Sequence, residues 1–258
     1  MALPLGVTGA TGEMGRAVRT EIDRREDVTL AFAISHRHGD RRGLHPDESL
    51  DRLLAERSPA AVIDFSIPEA SVEYVGACRS AGVPVVVGTT GFSAEDQATL
   101  DAAGDDIPVL VAPNFSRGIA ALLPIVTEAV SRLPGYDIEI TESHHNRKRD
   151  APSGTANRLL EAVAEARDTI EPVYGREGEA PRAPTEVGIH ARRAGTITGE
   201  HEVLLAGPHE EVRLVHRAED RGVFAAGAID AAAWLAEQEP GRYGFSDALA
   251  NEKHGDEP

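Results

Sequence analysis

Within its first 22 residues the chain runs from a short apolar segment, Leu3 to Thr8, directly into Gly9-Ala10-Thr11-Gly12-Glu13-Met14-Gly15 and then into a helix-period stretch ending at Ile22. That order confines the N-terminal part to a strand, a glycine turn and a helix packed back on the strand, which is the opening unit of a parallel α/β layer. Gly9 is placed to make the tight turn, Gly12 to let backbone approach a phosphate, and Gly15 to let helix and strand close on each other. Thr11 stands where a further glycine is common, so the spacing is GxxGxxG. A turn with no ligand is the plain alternative. A dinucleotide pyrophosphate seated on the helix start is the reading that the position at the first strand-helix junction favours.

The same rhythm continues. Val28 to Ile34 forms a second apolar strand, and the residue just past it decides how an adenosine ribose is read. Here Ser35-His36-Arg37-His38 follows, with Arg41 and Arg42 close behind, so no carboxylate is present to grip a 2'-hydroxyl. A cationic loop suits a 2'-phosphate; a solvated loop is the alternative. Ala61 to Phe65 is a third strand, and Pro68 opens a helix to Ser80. Val83 to Val87 leads into Gly88-Thr89-Thr90, Ser93 and Asp96 read as a capping pair, and Ile107 to Ala112 closes on Pro113-Asn114-Phe115. Loops at the carboxyl ends of parallel strands bind ligands, which places Gly88, Thr89, Thr90 and Ala112 to Phe115 beside the nicotinamide end of a cofactor. Ordinary turn chemistry is again the alternative.

After a helix over Gly118 to Arg132 the pattern changes to alternation at Tyr136, Ile138 and Ile140. Five basic side chains then fall between His144 and Arg149, and the run continues through Asp150-Ala151-Pro152-Ser153-Gly154-Thr155 into an amphipathic helix, Ala156 to Arg167. So dense a basic knot in an acidic chain suits a polyanionic small molecule. The unpaired N–H groups of the helix start, with the Ser153 or Thr155 hydroxyl beside them, form a carboxylate seat, to which the preceding loop brings two imidazoles and an amine. A loose segment over Glu171 to Pro184 follows. Three alternating runs come next, Val187 to Ala191, Glu200 to Ala206 and Val212 to Leu214, with the turn Gly207-Pro208-His209-Glu210 between the last two. No βαβ crossover separates them, so the sheet is mixed or antiparallel, with an apolar face free for another subunit. A helix over Phe224 to Glu239 packs back on the first part, and the tail from Asn251 is polar. The fold class is α/β: an N-terminal Rossmann-like parallel-sheet domain, residues 1–115 with 219–258, plus a C-terminal α+β domain with an open mixed sheet, residues 116–218.

Composition excludes several function classes. With 43 acidic against 26 basic residues the formal charge is -17, which disfavours binding to nucleic acid or an anionic membrane. A high-salt cytoplasm, in which screening weakens repulsion between surface carboxylates, is the preferred explanation of that surplus. The single Cys78 permits no internal disulfide, and its neighbours Tyr74, Val75 and Ala77 place it on the buried face of a helix. No apolar run approaches membrane length, and Met1-Ala-Leu-Pro-Leu lacks a basic leader; a cytoplasmic protein is expected.

Taken together, these residues resemble the 4-hydroxy-tetrahydrodipicolinate reductase family of the diaminopimelate and lysine pathway, from about Leu5 to Leu235. The most specific piece is Glu142-Ser143-His144-His145-Asn146-Arg147-Lys148 leading into Asp150-Ala151-Pro152-Ser153-Gly154-Thr155, which is similar to the family's E-x-H-H-x-x-K-x-D-A-P-S-G-T signature. Gly9 to Gly15, Gly88 to Phe92, Asn114 to Ser116 and Arg193 to His201 support it. The resemblance implies reduction of a cyclic imine dicarboxylate by NADPH or NADH. It also implies His144 and Lys148 as proton donors, His145 with the Gly154 and Thr155 amides at the substrate carboxylates, and a homotetramer. Glu13 departs from the family's usual base beside the phosphates, and Ser35 from its usual acid; the latter predicts that NADPH is preferred.

Three rival readings are weaker. A zinc site on His144 and His145 suffers because adjacent histidines on extended chain point apart, and no metal is expected. A non-catalytic nucleotide-sensing module would need neither Lys148 nor an anion seat. A semialdehyde dehydrogenase would want a nucleophilic cysteine in a cleft, which Cys78 does not supply.

Overall fold

The computed structural model describes residues 1–35 and 49–250. His36, Arg37, His38, Arg41 and Arg42, assigned above to the 2'-phosphate, and the tail from Asn251 lie outside the described residues. The chain divides into two compact units, Met1–Ser116 with the segment from Arg221 onward, and Arg117–Asp220.

In the first unit β1 (Leu3–Thr8), β2 (Val28–Ile34), β3 (Ala61–Asp64), β4 (Val85–Val87), β5 (Pro108–Val111) and β11 (Gly241–Tyr243) form one sheet in the order β11-β5-β4-β3-β1-β2, every pair parallel. The chain steps from β1 outward to β2, then returns to the far side of β1 with β3. This reversal opens a crevice at the carboxyl end of β1. Helices α1 (Glu13–Ile22), α2 (Leu50–Arg57), α3 (Pro68–Ala81), α4 (Ala94–Ala103), α7 (Gly222–Leu235) and α8 (Phe245–Ala250) accompany the strands. Pro68 occupies the first turn of α3, and Ser93 and Asp96 form the reciprocal capping box of α4. Phe32, Leu53, Val62, Val75, Val85 and Leu100 centre the core, and Cys78 lies buried among them. In α7, Ala225, Ala228, Ile229, Ala231, Ala232 and Leu235 are all fully buried, because a helix that is apolar and small on nearly every side can lie against both α1 and the strands β3 and β4. It ends at Leu235, short of the expected Glu239, and the chain then adds the unforeseen edge strand β11.

The second unit is a five-stranded mixed sheet, β10-β9-β6-β8-β7, built from β6 (Asp137–His144), β7 (Glu171–Val173), β8 (Glu186–Arg193), β9 (Gly199–Ala206) and β10 (Glu211–Ala218). β6 pairs parallel with β8 and antiparallel with β9. Helices α5 (Arg117–Arg132) and α6 (Gly154–Glu165) cover one face, burying Ile119, Val126, Leu159 and Val163 against Ile138, Ile140, Val187 and Val203. Two expectations need correction. The segment over Glu171 to Pro184 contains a strand, β7, whose Pro172 is tolerated because β7 is the sheet edge. The other sheet face is largely charged, with Val215 exposed on it: Glu139 pairs with His190 at 2.6 Å, Glu202 with Arg213 at 2.9 Å and Glu200 with Arg217 at 3.1 Å. Strand alternation put these polar residues opposite the helices.

Candidate active site

In the first unit the described loops that the sequence singled out follow the carboxyl ends of β1, β4 and β5, and Ser35 lies just past β2. Gly9 adopts φ +66°, and a Cβ there would lie 2.1 Å from the Phe65 carbonyl oxygen, so only glycine makes this turn. A Cβ on Gly15 would sit 2.3 Å from the Gly9 oxygen; its absence lets α1 close on the turn. Gly12 caps α1 from extended backbone and offers no side-chain acceptor to the first-turn N–H groups. Glu13, the acid in that turn, is exposed and pairs with Arg221. The Thr11 and Ser35 hydroxyls meet at 2.6 Å, joining the glycine turn to the end of β2. Met14 is half-buried, Thr90 and Pro113 are exposed, and Ala10 and Ala112 are buried. The Phe115 ring is packed edge-on between Phe65 and Phe245, at 5.7 and 5.3 Å, which leaves only its main chain to meet a ligand.

Sequence reasoning gave no role to Asp64, the last residue of β3. Its carboxylate, fully buried, accepts from Thr8 (2.5 Å), Ser71 (2.6 Å) and Thr89 (2.8 Å), while the Thr89 oxygen accepts the Ser66 N–H at 3.0 Å. One carboxylate thus pins the end of β1, the start of α3 and the loop after β4. Only a lone acid inside an apolar strand could have signalled it.

In the second unit, the alternation that buries Ile138 and Ile140 continues through Glu142 and His144, so the signature begins on the core face of β6 and not, as expected, in a loop. Glu142 is fully buried and accepts four hydrogen bonds: His144 Nδ1 at 2.6 Å, both ends of the Arg193 guanidinium at 2.7 Å, and the Ser153 N–H at 3.0 Å. Burial pushes this carboxyl up, but the His144 and Arg193 contacts outweigh it and hold it at about 2. Ser153 caps α6: its hydroxyl oxygen accepts the Ala156 N–H at 3.2 Å and lies 3.1 Å from His201 Nε2. Glu142 and His201 are register partners, as are His201 and His216, so a polar row crosses three strands at this end of the core. The His144 ring stands edge-on to His201, 5.2 Å between centroids. Burial, aided by His144, drives His201 down to about 3, so its ring is neutral and shares one hydrogen bond between Nε2 and the Ser153 hydroxyl.

The loop beyond β6 is tied to the β8-β9 turn, since the Ala194 N–H donates to the His144 oxygen at 2.9 Å and the Asn146 N–H to the Gly195 oxygen at 3.2 Å. Lys148, half-buried, sits 2.9 Å from Asp150 Oδ2; burial pushes that carboxyl up, and the ammonium more than reverses the effect. His145 and Thr155 are half-buried, and Gly154 is exposed at the first position of α6. The structure therefore gathers His144, Ser153 and the start of α6 around one carboxylate. An imidazole, an ammonium and the first turn of a helix lie within one unit.

The dihydrodipicolinate reductase N-terminus model matches residues 3–115, and the dihydrodipicolinate reductase C-terminus model residues 118–249. The chain belongs to the dihydrodipicolinate reductase family. It is 49% identical over 247 residues to the 4-hydroxy-tetrahydrodipicolinate reductase of Haloarcula marismortui, covering 95% of this chain and 98% of that one. It is 51% identical over 245 residues to that of Natronomonas pharaonis, covering 94% and 98%. In fold it is similar to a dipicolinate-bound dihydrodipicolinate reductase from Paenisporosarcina sp. TG-14, with TM-score 0.75 and 23% identity over 96% of this chain and 99% of that one. Sequence reading gave Glu142, in the family signature, and Arg193, in a supporting motif, no task. Their link spans 51 positions and has no local signal.

Proposed function

We propose that this chain catalyses the reaction its family relatives are named for, the NAD(P)H-dependent reduction of 4-hydroxy-tetrahydrodipicolinate to tetrahydrodipicolinate in diaminopimelate and lysine biosynthesis. The observation that carries it is the buried Glu142–His144 pair beside the start of α6, with Lys148 in the adjoining loop. The cofactor supplies the hydride. The residues present fit it: the left-handed Gly9 turn and the open α1 cap at the sheet's switch point suit a pyrophosphate, and Arg221 offsets the charge of Glu13. His144 gives the proton that completes the reduction, and the Lys148 ammonium stabilises negative charge developing on the substrate ring. His145 and the Gly154 and Thr155 amides hold a substrate carboxylate, because a helix start favours negative charge. Gly88, Thr89, Thr90 and Ala112 to Phe115 border the nicotinamide. The protein works in the cytoplasm as a homotetramer, with NADPH favoured over NADH. The test is oxidation of NADPH with freshly generated substrate: turnover that needs the substrate supports the reading, and a chain that binds NADPH without turnover overturns it.

A further inference from the structure

Glu142 is fully buried, and the chemistry assigned to His144, His145 and Lys148 makes no use of it. A buried carboxylate is costly unless its lone pairs are filled. Here the Arg193 fork takes one on each oxygen, the Ser153 N–H a second on Oε1 and His144 Nδ1 a second on Oε2. We propose that Glu142 is the positioning residue of the proton donor: it holds His144 with hydrogen on Nδ1, leaves Nε2 as the atom that carries the transferable proton, and through Ser153 fixes that ring against the start of α6. The inference rests on the reading of His144 as the donor.

An ionised carboxylate only accepts, so the 2.6 Å contact requires Nδ1–H. Arg193 keeps the carboxylate ionised and stops it rotating, since its two parallel bonds to Oε1 and Oε2 are both 2.7 Å. Space is kept beside the working nitrogen, because a Cβ on Gly199 would lie 3.3 Å from His144 Nε2. The charged and titratable groups around the ring are Glu142 on its own strand, Arg193 on β8, His201 on β9 with His216 behind it on β10, and Lys148 and Asp150 in the loop. In the step, the Nε2–H bond breaks and its proton bonds to the substrate ring while Nε2 keeps the electron pair. The reducing electron pair comes from NAD(P)H, solvent returns a proton to Nε2, and Glu142 stays unprotonated throughout. The carboxylate orients and stabilises the imidazolium without accepting its proton.

Glu142→Gln tests this directly. Its single amide oxygen is claimed at the Oε1 position by the Ser153 N–H, which Arg193 shares, so the NH2 group faces His144, donates to Nδ1 and moves the ring hydrogen to Nε2. Ring ¹⁵N spectra at alkaline pH are expected to show the Nδ1–H tautomer in the wild type and the Nε2–H tautomer in the variant. The expected kinetic effect is a fall in kcat of roughly 10²-fold with a much smaller change in KM, and no change in NADPH affinity. Should the unpaired Arg193 prevent folding, Glu142→Gln/Arg193→Met removes both charges and is expected to give the same tautomer and kinetics. A variant with near wild-type kcat and unchanged ring shifts overturns the proposal. An active His144→Ala overturns the donor reading itself; an inactive His144→Ala beside a fully active Glu142→Gln overturns only the role of Glu142.

Discussion

His201 is a buried imidazole whose use depends on staying uncharged. The unfolded ring takes a proton near its ordinary value of about 6.5, whereas the folded ring resists down to about 3. Between those values the unfolded state binds more protons, so stability is full above about pH 6.5 and is lost as pH falls towards 3, at up to about 1.4 kcal/mol per pH unit from this one group. Glu142 acts in the same direction lower down, from the ordinary carboxyl range to about 2. Urea midpoints of the wild type and His201→Gln at pH 7 and pH 4.5 check this. The variant is expected to lose less between the two, because a Gln amide can meet the Ser153 hydroxyl without titrating; equal losses would exclude His201 as the source. At this scale the sequence singled out His144, Lys148 and Ser153 through their spacing and family signature. It hid His201 and Arg193, because their partners are set by strand register across β6, β8 and β9.

The start of α6 concentrates the chemistry of an element. Ser153→Ala removes a cap worth about 1 kcal/mol and leaves His201 Nε2 without its hydroxyl, so a fall in Tm of several degrees is expected, with a raised KM for the dicarboxylate. Calorimetry and steady-state kinetics read both; unchanged values of each would remove Ser153 from the seat. In the first unit, Gly15→Ala is expected to weaken NADPH binding at least tenfold, or about 1.4 kcal/mol, by driving α1 off the Gly9 turn. Fluorescence titration measures it, and intact binding would show that the turn can yield. Long elements were legible because each repeats a period or carries a cap: Pro68 opening α3, Ser93 opening α4, Ile138 and Ile140 marking β6. Three-residue strands such as Glu171–Val173 and Gly241–Tyr243 show no period, and their existence depends on a neighbour edge that only the fold supplies.

For the whole molecule, charge decides what assembly requires. The sheet face opposite α5 and α6 carries Glu139, Glu200 and Glu202 alongside Arg213 and Arg217, so a tetramer using it would bury a largely polar face. With a formal charge of -17, association is expected to strengthen as salt rises, and light scattering showing a monomer at low and molar salt alike would reject it. The absence of an acid at Ser35 is expected to favour NADPH over NADH by roughly tenfold in kcat/KM. In the proposed reaction the first unit offers the cofactor site and the second the proton. The most direct measurement is NADPH oxidation with 4-hydroxy-tetrahydrodipicolinate by the wild type, His144→Ala and Lys148→Ala, with NADPH affinity measured alongside. A loss in kcat of roughly 10²-fold or more in both variants at unchanged NADPH affinity is predicted. Near-normal turnover in both at saturating substrate would remove His144 and Lys148 from the chemistry.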